Sequence, residues 1–254
     1  MRRHLIIPDT QIKPGVPTIH IDWAARAIVE YMPDVLIVIG DWWDMPSLNK
    51  HELPGSAPME GLRVAKDIEV GNEAFRRLIG PMEREQERRR RNHRPRWELE
   101  KHFFFGNHEH RLTRYVVNDP KFEGTLKLDD MVTPGFRRHE FLEIFDIDGI
   151  WYSHYFSNTQ SGRPITGSID NRLNKIGNSF VMGHQQGFLY GVRQYPGNVQ
   201  RHGLVAGSFY LHDETYRDIQ SNGEWRGIVV LNEVQAGAYD IMPLSMDYLK
   251  RKFG

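Results

Sequence analysis

The run Val35-Leu36-Ile37-Val38-Ile39 carries no polar residue, is rich in β-branched side chains, and stops at Gly40-Asp41. A strand of that composition must be covered on both faces, which points to a layered α/β fold. Four other short apolar segments also end in a potential ligand. Leu5-Ile6-Ile7 leads to Asp9 and Gln11, and Phe103-Phe104-Phe105 leads to Gly106-Asn107-His108-Glu109. Ile150-Trp151-Tyr152-Ser153 delivers His154, and Phe180-Val181-Met182-Gly183 delivers His184, with Gln186 two residues on. A lone Asp after a strand is ordinarily a turn residue. Five strand ends in succession, each with an oxygen or imidazole donor, instead predict a site in the crevice outside the carboxyl ends of the strands.

Length and composition set the frame for that site. The chain has 254 residues, 39% of them hydrophobic, enough for one sizeable core and one domain spanning 1–254. Its 33 basic and 33 acidic residues balance, which argues against a generic polyanion-binding surface. The absence of cysteine excludes a disulfide framework and thiolate ligation, so metals would have to be held by imidazole and oxygen. No apolar stretch approaches the ~20 residues of a membrane span, and Met1-Arg2-Arg3-His4 runs directly into the first strand. The expectation is a soluble cytoplasmic protein, in the host cytoplasm if it is viral, with oligomeric state open.

Along the chain, Ile19 to Tyr31 predicts an amphipathic helix ended by Met32-Pro33, with Asp22, Arg26 and Glu30 as a solvated stripe. Residues 58 to 91 predict one long helix, or two joined near Gly80-Pro81. Arg84, Arg88, Arg89, Arg90, Arg91, Arg94 and Arg96 follow within thirteen residues, interleaved with glutamates. They would either grip nucleic-acid phosphates or pair along a solvated helix end. Trp42 and Trp43 could stack a base, or belong to the core. Residues 157 to 179 predict a loop over the site, partly helical at Ile169 to Ile176. Segments from Leu204, Gly227 and Ala238 predict strands of a second sheet, the last two forming a hairpin across 232–237, and the tail from Tyr248 is expected to fray.

The order of Asp9-x-Gln11, Gly40-Asp41-x-x-Asp44, Gly106-Asn107-His108-Glu109, His154 and Gly183-His184-x-Gln186 resembles the calcineurin-like metallophosphoesterase superfamily, more loosely its short bacteriophage and bacterial members. The resemblance implies a four-layer αββα sandwich with two mixed β-sheets and a dimetal site at the C-terminal ends of strands. It places Asp41 between two divalent cations, with Asn107, His154 and His184 on one metal and Asp9, Gln11 and Gln186 on the other. His108 becomes the general acid, and Asp44, as its hydrogen-bond partner, would fix its tautomer. Arg111 could clamp the substrate phosphate beside Asn107, or be a solvated arginine at a helix start.

The sequence departs from the family at Gln11 and Gln186, where the pattern has histidine. Amide oxygens are hard, neutral donors, so Mn²⁺ is favoured over Mg²⁺, Fe, Zn²⁺ or Ni²⁺, and that site is expected to be weak or to be missing altogether. The implied activity is a phosphodiesterase or nuclease acting on DNA, RNA or a nucleotide through metal-bound hydroxide. The alternatives are a phosphomonoesterase and a binding module with a degenerate site.

Overall fold

The computed structural model describes residues 1–50, 59–213 and 223–254, so the predicted start of the second helix at 58 lies outside the described residues. In chain order the elements are β1 (Arg2–Ile7), α1 (His20–Tyr31), β2 (Val35–Val38), α2 (Val64–Arg91), β3 (Glu100–Phe104), α3 (His110–Asn118), β4 (Arg137–His139), β5 (Phe145–Ile147), β6 (Ile150–Ser153), α4 (Ile169–Ile176), β7 (Phe180–Met182), β8 (Phe188–Tyr195), β9 (Val199–Ala206), β10 (Gly227–Gln235), β11 (Ala238–Ser245) and α5 (Met246–Phe253). They form two mixed sheets, ordered β11-β10-β1-β2-β3-β4 and β5-β6-β7-β9-β8. Strands β1 to β4 run parallel, as do β6, β7 and β9, while the remaining pairings are antiparallel.

Alternation along the strands decides what each face meets. Leu5, Ile7, Leu36 and Val38 share a core with Ile21, Ile28, Phe75, Leu78 and Leu249 from α1, α2 and α5. Their neighbours Ile6, Val35, Ile37 and Ile39 pack instead with Ile150, Tyr152, Val181 and Leu204 of the second sheet. On that sheet's outer side, Ile169 and Leu173 of α4 cover Phe180, Met182 and Val205. The continuous apolar run of β2 thus follows from helices on one face and a sheet on the other, the arrangement of an α/β sandwich. No helix among the described residues is long and apolar enough to cross a membrane.

Three sequence expectations are corrected. The hairpin β10–β11 belongs to the first sheet, where β10 pairs antiparallel with β1, and its turn is the two residues Ala236-Gly237, both at positive φ. Local pattern cannot assign a hairpin to a sheet, because that depends on which edge strand is left open. The tail does not fray: α5 is capped by the Ser245 side chain and buries Leu249 and Phe253. The stripe on α1 is not simply solvated, since Asp22 pairs with Arg77 of α2 at 2.6 Å, Arg26 donates to the Phe253 carbonyl, and Glu30 meets Lys252 at 3.0 Å. The helix expected at Ile169 to Ile176 is present with those bounds as α4, packed on the outer side of the second sheet.

Candidate metal centre

Strands β2 and β3 end side by side, and two glycines let their backbones meet. A Cβ on Gly106 would lie 2.1 Å from Asp41 Oδ1, and one on Gly40, whose φ is +100°, would lie 2.5 Å from His154 Nδ1. Three donor-bearing residues, Gln11, Asp41 and His184, also adopt left-handed backbone with φ of 43°, 52° and 63°. Non-glycine residues enter this region at an energetic cost, which recurs where side chains are aimed at a ligand.

Asp41, His154 and His184 bring ligand atoms within 4.8 Å of one another, a largely buried group that could hold a metal ion. Asn107 joins them through Oδ1, which lies 3.0 Å from His154 Nε2 and 2.7 Å from His184 Nδ1. The ring of His154 is oriented from behind. Its Nδ1 donates to the Ile39 carbonyl at 2.8 Å, which turns Nε2 toward Asp41; burial opposes charge on the ring, but Asp41 and Asp9 outweigh it and raise the imidazole to about 9, so a metal at Nε2 would displace a proton. Burial disfavours charge on Asp41, but the surrounding His108 and His154 outweigh it and hold the carboxyl well below the usual range. For His184 burial dominates and lowers the imidazole to about 4, keeping it in the neutral form a metal requires.

Asp9, Gln11 and Gln186 line up less completely. Asp9 Oδ1 accepts the His184 N–H at 3.1 Å, yet its Oδ2 and the Gln11 Oε1 are buried with no hydrogen-bond partner among the described residues. Burial, then the Asp41 charge, push the Asp9 carboxyl up to about 7. Orphaned oxygens of this kind are what a cation would satisfy. Gln186 differs, because its Oε1 accepts the Tyr210 hydroxyl. The donors therefore fit one site well, and a second through Asp9 and Gln11 with Gln186 already engaged.

A scan of protein-family models and a search of curated proteins find no match for this chain.

His108 stands beside the metal group. Its Nδ1 lies 2.8 Å from Asp44 Oδ1 and 2.9 Å from the Asp44 carbonyl, two acceptors that require the proton on Nδ1 and leave Nε2 toward the site. Asp44 is also held by Lys13 at 3.0 Å. Burial opposes its ionisation, but His108 and Lys13 win and lower the carboxyl to about 2. Arg111 is not a solvated arginine: it donates to the Asp44 carbonyl at 2.9 Å, and its guanidinium lies 3.2 Å from His108 Nε2.

Glu109 is the residue whose role the sequence did not reveal. It is fully buried, and its carboxylate accepts the backbone N–H groups of Asp41, Trp43 and Gly106 at 3.1, 3.0 and 2.7 Å. Its place in the Gly-Asn-His-Glu segment was the available signal, but the partners it ties together are 66 and 68 residues away. Trp42 and Trp43 are both core residues and offer no face for a base. Their indole N–H groups donate to Gly71 and Ile68 carbonyls of α2, and both rings pack on Phe75. The arginine run is largely paired, Arg88 and Arg89 with Glu85, Arg90 and Arg91 with Glu87. It also sits at the opposite end of α2 from the site, about 30 Å along the axis from Asp67, which binds Ser47.

Proposed function

We propose that the chain is a metal-dependent phosphoric ester hydrolase of the calcineurin-like metallophosphoesterase kind, a four-layer αββα sandwich acting on phosphodiesters of nucleic acids or nucleotides. The observation that carries this reading is the convergence of Asp41, His154, His184 and Asn107 beside a histidine held by a carboxylate. Asp41, Asn107, His154 and His184 would hold one divalent cation, and Asp41, Asp9 and Gln11 a second, with Gln186 a weak ligand. Bound there, the cations supply charge to screen the phosphate oxygens and to acidify a water molecule.

The protein's own groups do the remaining work. Asp44 keeps the Nδ1 proton of His108 in place, so that Nε2 is the atom that passes a proton to the departing oxygen. Arg111, already next to Nε2, turns onto the phosphate and supplies a planar pair of donors. Gly40 and Gly106 keep the floor thin enough for Asp41 to serve both sides. The engaged state of Gln186 and the oxygen-rich character of the second donor set support Mn²⁺ and unequal occupancy of the two sites.

The test is hydrolysis of bis(para-nitrophenyl) phosphate and of labelled single-stranded DNA by metal-stripped protein, with Mn²⁺, Mg²⁺, Zn²⁺ or Ni²⁺ restored in turn. Mn²⁺-dependent cleavage of both is expected. Preference for the para-nitrophenyl monoester would replace this reading with a phosphomonoesterase, and no turnover with any metal would overturn it.

A further inference from the structure

The surface grooves along α2 are mixed in charge, with Glu83 and Glu87 among the arginines of one and Glu30 and Glu85 in another. A groove at the metal centre is different. It runs from Asn107 along α3 and is lined by Lys50, Arg111, Arg114, Tyr115 and Asn118, with Leu48 as its apolar member and no carboxylate among the described residues. Arg111, Arg114, Tyr115 and Asn118 share one helix face by their spacing of three, four and seven. Among the described residues neither Lys50 nor Arg114 has an ion-pair partner, whereas Arg88 to Arg91 each have one. Cations that line one small groove without ion-pair partners among the described residues repel one another, an arrangement that an anion relieves.

Tyr115 completes the groove. One side of its ring rests on Phe122, with centroids 5.4 Å apart, while 39% of the residue stays exposed. A partly exposed ring braced by a second aromatic is a candidate platform for a base. The groove holds about 160 Å³, room for a phosphate rather than for a whole nucleotide, so a base following that phosphate has to lie over the rim at Tyr115.

We infer that this groove is a subsite for the nucleotide next to the scissile phosphate, with Lys50 and Arg114 taking the flanking phosphate and Tyr115 stacking the base, so that the substrate is a single-stranded oligonucleotide. Asn107 belongs to both the groove and the metal group, which makes the path between them continuous. The inference deepens the phosphodiesterase reading and rests on it for the identity of the substrate, but its test requires no turnover.

The experiment is fluorescence anisotropy of a labelled thymidylate hexamer titrated with the full chain, in EDTA and again with Mn²⁺, over a series of salt concentrations. Tyr115→Ala should weaken association about tenfold and Tyr115→Trp should retain it, as base stacking is worth this much and does not need the hydroxyl. Arg114→Gln should weaken binding and reduce the slope of log K against log salt by about 0.7. Arg90→Ser, at the far end of α2, should change nothing. Absence of hexamer binding, wild-type affinity in Tyr115→Ala, or equal losses in Arg90→Ser and Arg114→Gln would overturn the subsite. If this pattern holds while no metal supports hydrolysis, the hydrolase reading falls and the groove stands. If hydrolysis is found without the pattern, the groove falls alone.

Discussion

The carboxylate of Glu109 accepts the backbone N–H of Asp41 at 3.1 Å, so a buried acid of one strand end holds in place the central donor of another. Two further N–H groups, of Trp43 and Gly106, converge on the same carboxylate. Glu109 therefore acts as the clasp between the two loops that carry most of the candidate centre, although it is itself fully buried. Burial, and after it the Asp41 charge, raise its carboxyl to about 7, while the donated N–H groups of Trp43 and Gly106 pull it down.

Replacing that clasp should be costly. Glu109→Gln has a single acceptor oxygen for three donors and turns an amide N–H toward at least one of them. A loss of about 2–3 kcal/mol in urea-derived stability is expected, in the range of a charged buried hydrogen bond. Unchanged stability would mean that the loops are held by the strands alone.

Gly71 lies inside α2, where exchange for alanine ordinarily stabilises a helix by about 1 kcal/mol. Here the new Cβ would fall 1.9 Å from Trp43 Cδ1, and the indole has no room to retreat because its N–H donates to the Ile68 carbonyl. The clash outweighs the propensity gain. Gly71→Ala is expected to destabilise the protein by about 1–3 kcal/mol and to blue- or red-shift tryptophan emission as the ring moves.

The role of His108 can be separated from metal binding by the leaving group. His108→Ala should slow cleavage of a dinucleotide, whose alkoxide needs a proton, by about 10²–10⁴-fold. Bis(para-nitrophenyl) phosphate, which releases a stable phenolate, should be affected far less. Equal losses on the two substrates, measured at matched metal occupancy, would remove the acid role.

Two core histidines predict acid sensitivity. Burial lowers His4 to about 4 despite its hydrogen bond to Asp148, and burial together with His212 and Arg77 lowers His20 to about 3. Both folded values lie below the ordinary 6.5, so the unfolded chain binds more protons and stability falls as pH drops. The loss begins near pH 6.5 and continues to about 4 for His4 and about 3 for His20, with a slope of about 1.4 kcal/mol per pH unit for each ring. Denaturation at pH 7 and pH 5 should show it, and His20→Phe, which keeps the ring packed on Phe209, should flatten the slope.

Metal preference should follow the two glutamines. Restoring imidazole with Gln11→His and Gln186→His is expected to raise Zn²⁺ content relative to Mn²⁺ in elemental analysis after dialysis against both. Identical metal content in the wild-type and doubly substituted proteins would show that neither side chain is a ligand.

The sequence by itself determined where the donors go. A short apolar run that breaks off at a glycine or a polar residue announces a strand end locally, and Asp41, Asn107, His154 and His184 stand at such ends, so their meeting was legible before any fold was known. The β2 run likewise announced cover on both faces. Which cover it received was not written there, because alternation separates Val35 and Ile37 from Leu36 and Val38 without saying what each face meets. Tertiary structure alone decided that Trp42 and Trp43 are core, that β10 and β11 extend the first sheet, and that Glu109 is a clasp. It also paired Arg88 to Arg91 with glutamates and set Lys50 and Arg114 in a groove beside Asn107. A guanidinium reads the same in sequence whether a glutamate neutralises it or not, and what is buried, paired or left open depends on surfaces brought together from far along the chain.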